Sequence, residues 1–253
     1  MTIEGVEAPT APPPTTKSVF QRIVGVLFAP AETFEDIARK PDVLVPLLLF
    51  VLIGYATTFI TIPRMNLDSV IEQQHEAMRA KNPQMTDKDF EPIDRMTQAF
   101  SKVMGWIGPL IGVVMYVIIA AIFLLAFRMF GGQGTFQQSL SATLYGWIPL
   151  LLFSIILTAV IAIRGTFDPL TMATIVKSNP AFLVEMKDHP VLFSLLSSFD
   201  LFTIWTLVLF SFGYAAMSKF SRAKSAVIVF ATYFGWVLVK VGFAALGAAR
   251  MKA

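Results

Sequence analysis

No cysteine occurs anywhere in the 253 residues. That absence excludes disulfides, thiolate metal sites and cysteine nucleophiles. Histidine is almost as scarce: His75 and His189 stand far apart in the chain. A metal centre needs several histidines or acids at ligand spacing, and His75 beside Glu72 and Glu76 reads as a solvated helix face. A Ser–His–Asp hydrolase needs a positioned histidine, and His189 falls in a loop next to Pro190. Charge is also thin. Asp, Glu, Lys and Arg make up 15% of the chain, against about 25% in a soluble domain. The net charge of +3 is small and dispersed, which argues against a nucleic-acid partner. These gaps predict a protein with no catalytic set, no metal site and no cofactor.

Apolar residues fill the space, at 55% of the chain with 23 Phe and 12 Met. A membrane-crossing helix needs about 20 mostly apolar residues. Five stretches qualify, at 43–62, 105–127, 140–163, 191–217 and 225–248. The segment 64–102 cannot hide a sixth, since it carries six basic and seven acidic residues. Only helices satisfy their own backbone in lipid without closing a barrel. The expected fold is an all-α membrane protein, a five-helix transmembrane bundle.

Basic residues near span ends set orientation. The turn 218–224 holds Lys219, Arg222 and Lys224 with no acid, and 128–139 holds Arg128 with none. Lys17, Arg22, Arg39 and Lys40 precede the first span. The loops 64–102 and 164–190 have nearly balanced charge. This pattern predicts a cytoplasmic N-terminus and an extracytoplasmic C-terminus, with Arg250 and Lys252 voting weakly against it. Residues 1–16, rich in Pro and Thr, predict a disordered arm.

Residues 17–42 form their own unit. Val19, Ile23, Val26 and Leu27 recur at helical spacing, Pro30 interrupts, and Phe34, Ile37 and Ala38 make a second apolar face beside Glu32, Glu35, Asp36 and Arg39. Two short amphipathic helices are expected, lying on the membrane interface or packed as a cytosolic cap under the bundle. The loop 64–102 is expected to be a helical hairpin. Asn66 or Asp68 could cap its first helix, Pro83 ends it, and Thr86 with Asp89 resembles a capping box. Phe90, Ile93, Met96 and Phe100 mark one face running into the second span. Loop 164–190 is expected to hold two short helices divided at Ser178-Asn179-Pro180.

Between the second and third spans, Gly131 and Gly132 suit a helix end. Thr135 with Gln138 forms a capping-box pattern. A phosphate-binding reading of these glycines fails because no Lys-Ser/Thr pair follows. Pro149 predicts a kink in the third span. Two charges fall inside predicted spans, Asp200 and Lys240. Intramembrane charges are costly and usually pair or line a polar cavity. If the fourth and fifth spans are antiparallel about residue 221, positions at equal depth sum to 442, and 200 plus 240 gives 440. The mismatch is about 3 Å at 1.5 Å per residue, so an ion pair is expected. Arg128 and Arg164 lie at span ends, where snorkelling explains them. Gly235, Gly242, Ala244, Ala245, Gly247 and Ala248 suggest close packing of the fifth span.

Gly131-Gly132-Gln133-Gly134-Thr135-Phe136, with Ser139-Leu140 and Tyr145-Gly146-Trp147-Ile148-Pro149 behind it, resembles the Yip-domain family, named for eukaryotic members that bind Ypt/Rab GTPases. Phe28-Ala29-Pro30, Thr33-Phe34-Glu35-Asp36-Ile37, Phe199-Asp200-Leu201-Phe202 with Trp205, and the basic turn 219–224 are similar to the bacterial branch. The similarity runs from about residue 20 to residue 248. It implies a non-enzymatic multi-pass protein of the bacterial cytoplasmic membrane, a scaffold or accessory subunit. Its implied partners are membrane lipids and another membrane protein, such as the subunits of an ABC-type exporter. The competing reading is a small transporter or lipid-handling protein with a polar pathway at Asp200 and Lys240.

Overall fold

A computed structural model describes residues 16–252. The expected arm, residues 1–16, lies outside them but for Thr16. Eleven α-helices make up the described residues, with short 3-10 turns between some of them and no β-strand. Two form an N-terminal hairpin, α1 (Val19–Phe28) and α2 (Pro30–Arg39). Next come α3 (Leu44–Thr61), α4 (Asp68–Lys81) and the 43-residue α5 (Asp87–Met129). Then follow α6 (Phe136–Gly146), α7 (Ile148–Arg164), the single turn α8 (Met172–Ile175) and α9 (Pro190–Leu196). The chain closes with α10 (Leu201–Ser218) and α11 (Arg222–Lys252). Five units are long and apolar enough to cross a membrane: Leu44–Arg64, Asp87–Met129, Phe136–Arg164, Leu201–Ser218 and Arg222–Ala249.

Two expected spans are broken. Pro149 does not kink a continuous third helix; the helix stops at Gly146 and restarts at Ile148, with Pro149 in the first turn of α7. Proline fits there because a first-turn N–H has no intrahelical partner anyway. The expected fourth span is likewise divided. α9 ends at Leu196, and α10 starts at Leu201 with Asp200 as its N-cap.

α6 is the centre of the bundle, and every residue from Ser139 to Gly146 is buried. Its polar groups are satisfied internally, as burial demands. Tyr214 on α10 meets the hydroxyls of Ser139 and Thr143 at 2.9 and 2.8 Å. α2 packs across α6 and α10, where Gly213 admits the Phe34 ring: a Cβ there would stand 3.0 Å from it. The turn from α5 to α6 is built as its glycines suggest. Gly131 and Gly134 have φ of +82° and +127°, values an L side chain resists. Gly132 N–H donates to Phe127 O at 2.9 Å and closes the end of α5. Thr135 caps α6 reciprocally with Gln138.

α5 overshoots the bundle. Gly105 lies against Ile62, just past the end of α3, so the residues before it, 87–104, project beyond that end by about 27 Å at 1.5 Å per residue. α4 folds back on the projection. His75 stacks on Phe90 with ring centroids 4.0 Å apart and meets Asp94 at 2.6 Å. Asn66 does not cap α4 directly. From two residues before the helix it accepts from Asp68 N–H at 2.9 Å, while Leu67 holds the cap position. Thr86 and Asp89 do form the capping box of α5.

Candidate functional site

Three places concentrate chemistry: a charged clamp under the N-terminal hairpin, the break between α9 and α10, and the projecting part of α5.

The clamp centres on Arg22. It occupies the buried stripe of α1 with Val26, four residues on. Its Nε donates to Asp36 Oδ2 at 2.9 Å, and its Nη1 donates to Lys40 O at 3.0 Å and to the Asp42 carboxylate. Asp42 in turn accepts from Tyr145 Oη at 2.8 Å, and its carbonyl accepts from Ser141 Oγ at 2.9 Å. Gln138 Nε2 donates to Ala38 O at 2.7 Å. One guanidinium thus ties α1 to α2, to the linker and, through Asp42, to α6. Burial works against the charge on Arg22, but the hydrogen bonds and charges of Asp36 and Asp42 outweigh it and raise its pKa above the usual guanidinium value. In the sequence Asp36 reads as part of a charged face and Asp42 as linker, and the signal for their burial is Arg22, a charge standing on an apolar stripe.

The hairpin is therefore docked on the bundle. It also shows an outward apolar face, because Phe20 and Phe28 on α1 are 74% and 83% exposed.

Asp200 and Lys240 reach the same level but do not make the expected ion pair. Among the described residues no salt bridge joins them. The helix break supplies the reason. Asp200 turns back as an N-cap, accepting from Phe202 N–H and Thr203 N–H at 2.9 and 3.2 Å and from the Ser178 hydroxyl. Lys240 Nζ instead donates to Ser197 Oγ and Ser198 Oγ at 2.9 and 3.1 Å. The glycine turn at Gly131, Gly132, Gly134 and Thr135 is built as a helix connection. Lys224 Nζ crosses to it and donates to Phe130 O at 3.1 Å.

On the projection of α5, Phe90 is buried under α4, whereas Met96 and Phe100 are 66% and 61% exposed. With Val103, Ile107, Leu110 and Val114, also exposed, they recur at alternating spacings of four and three. That is the seam pattern of a helix that pairs with another helix.

Five units long and apolar enough to cross a membrane, packed about the buried α6 half of the third, define a polytopic α-helical membrane protein. The chain belongs to the Yip1 domain family, whose sequence model matches residues 24–246. It is similar to a protein described as "Membrane protein YknW" from Bacillus subtilis (strain 168). The two are 26% identical over 217 residues, covering 82% of this chain and 84% of the relative. No solved structure matches. Neither match names an enzyme family.

Proposed function

We propose that this protein is a non-enzymatic accessory or scaffolding subunit of a bacterial cytoplasmic-membrane complex, with its N-terminus cytoplasmic and its C-terminus outside. The observation that carries the reading is the exposed stripe Met96, Phe100 and Val103 on the part of α5 beyond the bundle. Large apolar side chains in water mark an interaction surface, and seam spacing fits a partner helix. The occupant would be a helix of another membrane protein that continues outside the bilayer, and the subunits of an ABC-type exporter are a candidate of that kind. The basic, acid-free turn 218–224 supports the orientation. The transport reading rests on a shared path at Asp200 and Lys240, and their separate partners give it no support.

Photo-crosslinking tests the proposal in the native membrane. A crosslinker placed at Met96, Phe100 or Val103 should capture one and the same membrane protein, and one at Arg95 or Gln98 should capture far less. Equal capture at all five positions, or a partner-free protein that moves solute on its own in liposomes, would contradict it.

A further inference from the structure

The N-terminal hairpin stands on end against the bundle. Its base is level with the first turn of α6, where Gln137 and Gln138 donate to Pro41 O and Ala38 O at 3.3 and 2.7 Å. One turn further along α2 and α6, the Phe34 ring lies with Ala142 against Gly213, five residues inside the end of α10. α1 also touches α7, and Val26 shares a buried cluster with Ile148 and Leu151. Ile148 is 12 residues beyond Phe136, about 18 Å at 1.5 Å per residue. The tip, Phe28-Ala29-Pro30, therefore points toward the middle of the bundle and not away from it.

Charge marks where hydrocarbon begins. Arg22, Asp36 and Asp42 meet at one level. Two residues after Asp42 the chain becomes the apolar start of α3, with Leu44, Val45 and Leu48 exposed. From Arg22 to Phe28, and from Asp36 to Pro30, is six residues each, about 9 Å. The nine residues from Ile23 to Ala31 contain no polar side chain. Phe20, Val24 and Phe28 are exposed, and their spacing of four puts them on one face of α1. That face continues the lipid-facing surface of α3. The deepest charge, Glu32, is paired with Lys17 Nζ at 3.0 Å, which lowers the cost of its depth. The turn leaves little backbone bare, as hydrocarbon requires. Ala29 N–H donates to Gly25 O at 2.7 Å, and Pro30 has no N–H.

We infer that α1–α2 is a re-entrant hairpin, immersed by its tip in the lipid leaflet on the side of the 218–224 turn. Acyl chains cover Val24 and Phe28, and Phe20 sits at the headgroup boundary. The immersion of about 9 Å stays within one leaflet, half of a core about 30 Å thick. An amphipathic pair lying flat would instead hold Phe20, Val24 and Phe28 at one depth. The inference is independent of the partner-binding surface on α5 and of which compartment the hairpin faces.

The test uses the full-length protein, whose lack of cysteine allows single spin labels. Phe20→Cys, Val24→Cys, Phe28→Cys and Ala29→Cys are labelled one at a time and reconstituted in vesicles of phosphatidylcholine and phosphatidylglycerol. Power saturation then reads the access of oxygen, which concentrates in hydrocarbon, and of a nickel chelate, which stays in water. From Phe20 through Val24 to Phe28, oxygen access should rise and nickel access fall. The labels at Phe28 and Phe20 should differ in depth by about 12 Å, eight residues along α1. Ala29 should match Phe28, so that a disturbance by one label does not decide the outcome. Equal shallow depth at all four positions would mean a hairpin lying flat. Strong nickel access at Phe28 and Ala29 would mean a cap standing in water. Low access of both reagents there would mean that protein, not lipid, covers the tip. Each of these three results would overturn the assignment.

Discussion

Asp200 is a buried carboxylate among apolar residues, held as the N-cap of α10. A carboxylate inside an apolar run announces a constraint, because an unpaired charge costs about 2.5–3.5 kcal/mol at the membrane centre and less toward the interface, the level of Asp200. The expectation of a counter-ion assumed an unbroken helix. The break after Leu196 exposes the first N–H groups of α10 instead, and the carboxylate satisfies two of them. The two roles predict different chemistry. Asn caps a helix nearly as well as Asp, while Ala costs about 1 kcal/mol. Asp200→Asn should therefore keep the thermal midpoint close to wild type, and Asp200→Ala should lower it. If Asn proves as damaging as Ala, charge rather than capping is what the position supplies. For Lys240 the level in the bundle is legible from the 440 sum but the partners are not, since serine hydroxyls one and two residues past a helix end carry no sequence signal.

At the scale of elements, hydropathy and turn chemistry located most of the architecture. The α5–α6 connection followed from Gly131, Gly132 and the Thr135–Gln138 pair, and α1 and α2 from apolar spacing broken at Pro30. What remained hidden was long-range. Whether α1–α2 rests on lipid or on protein depends on Arg22, Asp36 and Asp42 meeting Tyr145, more than a hundred residues beyond Asp42. The interruption at Trp147 was hidden too, because Pro149 in the first turn of a helix looks the same in sequence as Pro149 in the middle of one. The hairpin makes a test of its own. Arg22 and Asp36 are both buried, and removing one partner of a buried pair costs about 3–5 kcal/mol, whereas replacing both with apolar residues is often close to neutral. Asp36→Leu alone should lower the thermal midpoint strongly and make α1–α2 susceptible to protease. Arg22→Met with Asp36→Leu should recover much of the loss. A double variant worse than the single would mean that the guanidinium works mainly through Asp42.

For the whole molecule, the fold sets the docked hairpin and the projecting α4–α5 arm at opposite ends, so that one faces each compartment if all five apolar units cross the membrane. In the proposed function that arrangement makes the exposed stripe of α5 the surface offered to a partner outside the bilayer. The absence of native cysteine makes the arrangement directly measurable. Single cysteines at Ser221, in the turn between α10 and α11, and at Gln84, between α4 and α5, would each be the only thiol in the chain. Treated with a membrane-impermeant maleimide on intact cells, Gln84→Cys should label at once and Ser221→Cys only after the membrane is permeabilised. Labelling of both from the same side would contradict the five-span account.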